Sequence, residues 1–484
     1  MTPHVAVVGG GIAGLAAAYG LRQSLGASAQ ITVLEAAHRI GGKVVGSEVG
    51  GLLVDEGAES LLTRRPEGID LVREIGLGDQ LESPAVSGAS VFLSGRLRRL
   101  PAHQVMGIPT DLREVAGSGI LSVPALLRLP LDFVLPRTPI ERDVSLGRFI
   151  ARRLGREVVD RLVEPLLGGV YAGHADDLSL DATLPQLGSA MRVHASLLAS
   201  ARDVQQRGAP SSGLPFASLR GGMSGLPTAV AAAADATVRT GARVSALRRS
   251  PGGWQLTVGS GRQAEQVFAD AVVVATPAAQ AAGLLRRVTP VAAAELAAID
   301  YASVALITYV IPRRAAAELP QGSGYLVPPS ESRVVKAATF SSAKWAWLSA
   351  AAGGDVVIRC SVGRFGETHD LERGDADLTW AALQELQAAV GPLGEPSATR
   401  VTRWTEALPQ YRVGHLAAVA RIRAAVAKQP GLAVCGAAYD GVGIPACLNS
   451  ANAAVVQVAR ALGAEKPVDR PAHRSDRVEG RMDA

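Results

Sequence analysis

The sequence predicts an α/β fold that is built on a doubly wound parallel sheet. The first observation is a short apolar run, His4–Val8, which leads directly into a glycine-rich turn. The second is a helix of small residues after that turn, and the third is another apolar run, residues 31–34, which ends at Glu35. Strand, turn, helix and strand in this order form the βαβ unit of a Rossmann-like, dinucleotide-binding domain.

The glycine-rich turn, residues 9–14, reads G-G-G-I-A-G and satisfies the pattern G-x-G-x-x-G. In such a turn the first glycine permits the tight bend, the second lets a pyrophosphate approach backbone N–H groups, and the third lets the helix lie close to the sheet. The N–H groups and the dipole at the start of the helix also favour a diphosphate. The residues expected to bind the phosphates are Gly9, Gly10, Gly11, Ile12, Ala13 and Gly14.

Glu35 ends the second strand, where a carboxylate can accept hydrogen bonds from a ribose diol. The segment that starts there, residues 35–43, reads E-A-A-H-R-I-G-G-K. It resembles the flavoprotein family of amine oxidases, phytoene desaturases and protoporphyrinogen oxidases, in which E-x-x-x-R-x-G-G-[RK] lies along the phosphates of FAD. The resemblance implies that FAD is contacted by Ala36, Arg39, Gly42 and Lys43. The intact glycine-rich turn and the absence of a family-type linking cysteine predict that FAD is bound without a covalent link.

Further strands that suit the same sheet occur much later in the chain. Residues 270–277 are typical of a buried strand that ends at a proline, and residues 432–436 of another. Residues 242–247 and 254–258 are typical of a hairpin. The FAD-binding domain is therefore predicted to be discontinuous, with residues 1–85, 206–289 and 401–466.

The segments between the parts of the FAD-binding domain have different sequence patterns. Residues 86–205 show helical spacing of apolar residues, which predicts a helical cap. Residues 290–400 contain alternating apolar runs, which predict a mixed sheet in an interleaved substrate-binding domain. The polar tail, residues 467–484, is predicted to be disordered.

Composition excludes several classes of protein. The chain has 484 residues and is 48% hydrophobic, which suffices for a large core. Only five of its 49 basic residues are lysine and 4% of its residues are aromatic, so it lacks the basic stripe with interleaved aromatics of nucleic-acid-binding proteins. The spacing of Cys360, Cys435 and Cys447 matches neither a disulfide framework nor a zinc site, so no metal is expected.

The start of the chain and its apolar runs indicate where the protein is located. The chain begins without the charged n-region and the cleavage site of a secretory signal, and no run reaches the length of a membrane span. These features predict a cytoplasmic protein. Residues 120–135 are apolar but are interrupted by prolines and charges, which leaves two alternatives: they line a pocket, or they make a peripheral contact with a membrane surface.

Five further segments resemble one branch of the family, the oxygen-dependent protoporphyrinogen and coproporphyrinogen oxidases of haem synthesis. Residues 51–60 resemble the stretch beneath the flavin ring, which implies contacts from Gly57, Ala58, Glu59 and Ser60. Residues 91–101 resemble the hairpin of the branch, and residues 219–227 its G-G-M-x-x-L-P turn. Residues 170–174 resemble its Y-A-G-D element, but His174 replaces the acid and receives no role.

The closest resemblance lies near the end of the chain. Residues 403–411 and 441–448 are very similar to the Gram-positive bacterial form of these oxidases. The similarity implies FAD contacts from Trp404, Val442, Gly443 and Ile444, and from Val244 at the adenine half. In this branch the flavin accepts hydride and oxygen reoxidises it with release of peroxide, so no side chain is assigned as catalytic.

The resemblance also implies the substrate. A porphyrinogen carries propionates, and the residues expected to bind them are Arg64, Arg65, Arg96, Arg98 and Arg99. Coproporphyrinogen III is the expected substrate, and the product would pass to a ferrochelatase. The alternatives are a protoporphyrinogen IX oxidase, a flavin amine oxidase and a non-catalytic binding protein of the same fold.

Overall fold

The computed structural model describes residues 2–208, 215–316 and 318–464, so the tail that was predicted to be disordered lies outside the described residues. The strands, in chain order, are β1 His4–Val8, β2 Gln30–Leu34, β3 Gly46–Val49, β4 Leu52–Asp55, β5 Leu61–Leu62, β6 Leu81–Glu82, β7 Ser90–Leu93, β8 Arg96–Arg99, β9 Gln104–Val105, β10 Ile108–Pro109, β11 Phe216–Leu219, β12 Thr237–Arg239, β13 Val244–Ser250, β14 Gly253–Val258, β15 Glu265–Ala269, β16 Ala271–Val274, β17 Tyr301–Ile311, β18 Gly324–Leu326, β19 Val335–Phe340, β20 Val356–Val362, β21 Ala398–Pro409 and β22 Leu432–Val434.

The α-helices lie between these strands and also follow them. In chain order they are α1 Ile12–Leu25, α2 Pro66–Glu74, α3 Leu112–Ser118, α4 Val123–Arg128, α5 Leu146–Leu154, α6 Arg156–Val158, α7 Glu164–Tyr171, α8 Leu180–Thr183, α9 Pro185–Met191, α10 Leu197–Arg207, α11 Leu226–Ala233, α12 Ala278–Leu285, α13 Pro290–Ala297, α14 Ser341–Lys344, α15 Ala346–Ala351, α16 Asp375–Val390, α17 His415–Ala427 and α18 Ile444–Ala461.

A parallel sheet with the order β12-β2-β1-β16-β22 confirms the predicted doubly wound unit within the described residues. Successive residues of strand β1 face two different cores on opposite sides of the sheet. Val5 and Val7 face a core shared with α1 and α18, whereas Ala6 and Val8 face a core shared with β14 and α12. Because both faces are buried, the central strands are continuous apolar runs. Strand β12 was not anticipated, since it is short and largely polar.

A mixed sheet with the order β21-β17-β20-β19-β18-β7-β8 confirms the second predicted architecture in the part of the chain that the structure describes. Only the β18–β7 pair in it is parallel. The β7–β8 hairpin forms one edge and β21 forms the other, so parts of the segments grouped with the cap and with the FAD-binding domain lie in this sheet. The rest of the three-part division stays a prediction.

The helical cap, α3 to α10, packs around an apolar core that also includes Val91 and Leu93 of β7 and Tyr411, and it contains a buried ion pair. Asp132 is fully buried and accepts from Arg153 Nε at 2.6 Å, from Ser196 Oγ at 2.6 Å and from the Leu198 backbone N–H at 2.9 Å. These bonds fix the turn after α4 to α5 and α10. Within the described residues, no helix is long and apolar enough to cross a membrane.

Candidate functional site

The glycine-rich turn has the geometry that its sequence predicts. Gly9 adopts a φ of +111°, and its N–H donates to the Leu34 carbonyl at 2.8 Å. A Cβ on Gly14 would lie 1.9 Å from the Gly9 carbonyl oxygen, so only glycine permits this contact between helix and turn. Gly11 is the N-cap residue of α1, and no side chain among the described residues caps the helix. The first N–H groups of α1 are therefore available to an anion.

Glu35 is held against this turn. Its Oε2 accepts from the Gly10 N–H at 2.6 Å, and its Oε1 accepts from the Ala37 N–H at 2.7 Å. The Glu35 carbonyl accepts from the Ala242 N–H at 2.8 Å, which brings the start of β13, and thus Val244, to the same place. The structure therefore unites a carboxylate, the glycine-rich turn and an apolar strand end that are far apart in the sequence.

A second glycine turn lies opposite the first. The Gly41 N–H donates to the Gly10 carbonyl at 2.8 Å, and Gly42 has a φ of +59°. A Cβ on Gly11 would lie 4.0 Å from the Gly42 Cα, so a side chain there would fill the gap between the turns. Arg39 Nη1 donates to the Gly42 carbonyl at 3.0 Å. This cradle, the gap between the two turns at the uncapped N–H groups that begin α1, fits the diphosphate of FAD.

The loop of residues 55–60 passes over Lys43. The Ala58 N–H donates to the Lys43 carbonyl at 3.0 Å, and a Cβ on Gly57 would lie 2.0 Å from the same oxygen. Trp404 Nε1 donates to the Glu56 carbonyl at 2.7 Å, and the Trp404 ring would touch that Cβ at 3.5 Å. Burial lowers the pKa of the Lys43 ammonium. Residues 43, 57, 58 and 404, all predicted FAD contacts, are thus neighbours.

Glu59 lies between two cations. Its carboxylate pairs with Lys344 Nζ and, at 2.8 Å, with Arg359 Nη2. Burial alone would raise the pKa of Glu59, but the two cations outweigh burial and lower it to about 2. Arg359 Nη1 also donates to the Asp55 carbonyl at 2.7 Å. Burial raises the pKa of the Asp55 carboxyl to about 6, although it accepts from the Met223 backbone N–H at 3.1 Å.

The start of α18 completes the site. Gly443 is its N-cap residue, and no capping side chain is found within the described residues. The Gly441 N–H donates to the Tyr411 hydroxyl oxygen at 2.9 Å, which ties the preceding turn to the end of β21. Val442 packs against the core of the cap, against which Leu166 of α7 and Leu326 of β18 also pack. Val442, Gly443 and Ile444 therefore lie where the parallel sheet, the mixed sheet and the cap meet.

The five arginines expected to bind the substrate are divided between two regions. Arg64 and Arg65 precede α2, and partial burial together with the charge of Arg65 lowers the pKa of Arg64. Arg96, Arg98 and Arg99 lie on the edge strand β8. Arg98 Nη1 would lie 2.7 Å from a Cβ on Gly119 at the end of α3, and Arg99 lies beside Gly88.

Sequence reasoning missed Lys344 and Arg359. They follow Glu59 by 285 and 300 residues, and neither belongs to a motif, so only the pairing of β20 within the mixed sheet brings Arg359 to the loop. Sequence reasoning left His174 without a role. Its Nε2 lies 3.2 Å from the Phe365 carbonyl oxygen, which ties the turn after α7 to the segment after β20.

Comparisons with known proteins agree with this geometry. Residues 12–459 match the family of flavin containing amine oxidoreductases. The coproporphyrinogen III oxidase of Mycobacterium tuberculosis is 38% identical over 96% of this chain and 99% of its own length, and that of Bacillus subtilis is 33% identical over 93% and 97%. A crystal structure from Exiguobacterium sp. 255-15, named a protoporphyrinogen oxidase, superposes with a TM-score of 0.84 at 31% identity and covers 95% of this chain and 99% of its own. The chain therefore belongs to the flavin-containing amine oxidoreductase family, in which it groups with the coproporphyrinogen III oxidases, and it is an FAD-dependent oxidoreductase.

Proposed function

We propose that this protein oxidises coproporphyrinogen III to coproporphyrin III in haem biosynthesis, with FAD as the hydride acceptor, oxygen as the final electron acceptor and hydrogen peroxide as the second product. The similarity to coproporphyrinogen III oxidases over nearly the whole length of the chain carries this proposal. The reaction removes six hydrogens from the macrocycle. FAD, when bound, supplies the redox chemistry, so the chain needs no catalytic side chain of its own.

The proposed role of the protein is to hold FAD and to orient the macrocycle. The N–H groups at the start of α1 and the cradle formed with Gly42 suit the diphosphate, and Glu35 suits the ribose. The loop of residues 57–60, with Trp404 beside it, supports the ring. Fixing the hydride donor and acceptor in one geometry replaces an encounter in solution, and this is the main contribution that a protein makes to such a reaction.

The apolar body of the macrocycle is proposed to lie where the cap meets the two sheets. Leu166, Leu326 and Val442 come from these three parts and are only partly buried. Gly169 and Val170 on α7 are exposed, and a Cβ on Gly169 would lie 3.9 Å from Leu326. An apolar lining of this kind excludes water and packs against the apolar body of the macrocycle.

Arg64 and Arg65 are the best placed of the five arginines to bind propionates. Burial raises the pKa of Tyr171, at the end of α7, to about 12, and the positive charge of Arg65 acts against this rise. This position is next to the proposed macrocycle site. A charge-assisted hydrogen bond contributes about 1.5–3 kcal/mol, so Arg65→Gln is expected to lower kcat/KM roughly ten- to hundred-fold.

The decisive experiment compares two substrates. Coproporphyrinogen III and protoporphyrinogen IX are supplied separately, and porphyrin formation is followed by fluorescence. We expect the higher kcat/KM for coproporphyrinogen III, because a site built for four carboxylates leaves cations unpaired when two are replaced by vinyl groups. A higher kcat/KM for protoporphyrinogen IX would reject coproporphyrinogen III as the preferred substrate, but it would not contradict the assignment as a flavoenzyme. Absence of turnover with either would reject the proposed reaction.

The mode of FAD binding is tested separately. None of Cys360, Cys435 and Cys447 is exposed, and burial raises the pKa of each thiol, so we propose that FAD is bound without a covalent link. Acid precipitation is expected to release all of the flavin into the supernatant. Gly11→Leu is expected to abolish FAD binding by filling the cradle. Flavin that stays with the pellet, or full flavin content in Gly11→Leu, would contradict this assignment.

We also propose that the cap makes a peripheral contact with an anionic membrane surface. Val123, Leu127, Leu131, Phe133 and Val134 around α4 are between 45% and 78% exposed, although all are apolar. Exposed apolar side chains flanked by arginines are typical of membrane-surface contacts. Arg128 lies within this patch and Arg137 follows it, whereas the one acid within residues 123–137, Asp132, is buried and paired.

Sedimentation with vesicles tests this contact. The wild-type protein is expected to sediment with vesicles that contain phosphatidylglycerol and much less with neutral phosphatidylcholine vesicles. Leu127→Ser with Val134→Ser is expected to abolish sedimentation, whereas Trp380→Ser, which removes an exposed side chain on α16, leaves it unchanged. Equal sedimentation of both variants would reject the patch as the contact surface.

Transfer of the product is the last part of the proposed function. Coproporphyrin III is expected to pass to a ferrochelatase. A coupled assay with ferrochelatase and ferrous iron measures this step, and direct transfer predicts that a porphyrin trap in solution does not slow metalloporphyrin formation. A rate that falls in proportion to the trap would instead indicate release into solution.

A further inference from the structure

The loop that supports the proposed flavin ring is held by side chains from the mixed sheet and from α14. Arg359 Nη1 donates to the Asp55 carbonyl at 2.7 Å and to the Gly57 carbonyl at 3.2 Å, and its Nη2 pairs with Glu59 at 2.8 Å. Lys344 Nζ pairs with the other carboxylate oxygen of Glu59. The side chains of Glu59, Lys344 and Arg359 are only 12%, 15% and 13% exposed.

The charges in this cluster are nearly balanced. Lys344 and Arg359 carry two positive charges, and Glu59 and Asp55 supply two carboxylates. Water screens these charges poorly, since all four groups are largely buried. Removing one charge therefore leaves a net charge of the opposite sign beneath the loop.

We infer that Lys344, Arg359 and Glu59 set the reduction potential of the bound FAD. The inference rests on the proposed function, because it requires FAD with its ring over residues 57–60. Reduction of a flavin by two electrons with uptake of one proton adds a negative charge to the ring. A nearby cation stabilises this charged form and a nearby carboxylate destabilises it, so charges close to the ring tune its potential.

Three variants that each remove one charge test the inference. Lys344→Met and Arg359→Met are expected to lower the two-electron potential of the bound FAD, and Glu59→Gln is expected to raise it. The expected change is about tenfold in the equilibrium between oxidised and reduced flavin, which is about 30 mV for two electrons. Lys428→Met is the matched control, because it removes an exposed lysine at the end of α17 and is expected to leave the potential unchanged.

The potential is measured by equilibration with a reference dye, and the FAD content and dissociation constant are measured in parallel. A purely structural role would weaken FAD binding in every variant without shifts of opposite sign. Shifts of one sign in all three variants, or none, would therefore overturn the inference. If Arg359→Met does not fold, Arg359→Lys is measured instead. This variant keeps the positive charge, so its FAD is expected to have the potential of the wild type, and a shifted potential would count against the inference.

Failure of the proposed function is recognised in a different way. Wild-type protein that contains no FAD would overturn the proposed function together with this inference. Wild-type protein that contains FAD and oxidises coproporphyrinogen III, but whose variants do not shift in opposite directions, would overturn the inference alone.

Discussion

Gly57→Ala is the sharpest test of how the loop of residues 55–60 is packed. The added Cβ would lie 2.0 Å from the Lys43 carbonyl oxygen, whereas ordinary contacts begin at about 3.4 Å, so one segment must move by roughly 1.4 Å. Gly57 does not have a positive φ, so the effect is steric and not conformational. Overpacking of this kind costs about 1–3 kcal/mol.

The movement also affects the hydrogen bonds that hold the loop. The Ala58 N–H donates to the same Lys43 carbonyl, and the Gly57 carbonyl accepts from Arg359 Nη1. Losing one of these bonds adds about 1 kcal/mol, so we expect a total loss of about 2–4 kcal/mol. Because this loop is proposed to support the flavin ring, FAD is expected to bind at least about tenfold more weakly to the variant, which equals about 1.4 kcal/mol.

The assay combines urea unfolding of the holoenzyme with titration of the apoenzyme by FAD. Gly283→Ala is the control, because it makes the same chemical change inside α12, where a Cβ would meet nothing within 4 Å. Alanine is the better helix former, so this control is expected to gain about 0.5–1 kcal/mol. If Gly57→Ala keeps the stability and FAD affinity of the wild type, the packing argument is wrong.

Three further predictions concern buried polar groups. Asp132→Asn leaves the buried Arg153 guanidinium without a counter-ion, so it is expected to lower the free energy of unfolding in urea by about 3–5 kcal/mol. Asp160→Asn, the control, breaks a half-exposed ion pair and is expected to lower it by at most about 1 kcal/mol. Burial lowers the pKa of His415 to about 4 in the folded protein. As the pH falls, His415 is therefore protonated in the unfolded state before it is protonated in the folded state. The free energy of unfolding should fall by about 3 kcal/mol between pH 6.5 and pH 4. His415→Gln should remove that part of the pH dependence, and an unchanged pH profile would refute the assignment. Thr308 Oγ1 and Trp347 Nε1 are buried without a partner among the described residues, and both residues line a cavity with room for about one water. A high-resolution crystal structure is expected to show one water between them. An empty cavity there would contradict this prediction.

Local features of the site could be predicted from the sequence because each depends on neighbours along the chain. The turn of residues 9–14 must contain glycine where the helix meets the turn, and the apolar runs β1 and β16 must be buried on both faces. The segment of residues 35–43 carries a family pattern, so its position beside the glycine-rich turn followed from resemblance. These features indicated the fold, the cofactor and the class of reaction.

Only the tertiary structure decided which distant residues meet. The sequence gives no sign that Lys344 and Arg359 bracket Glu59, because a buried ion pair leaves no periodic pattern and depends on which strands become neighbours. The β7–β8 hairpin looked like part of the cap, yet backbone pairing with β18 places it at the edge of the mixed sheet. Spacing along the chain determined the turns and strands, whereas long-range strand pairing and burial of charge determined the electrostatic surroundings of the site.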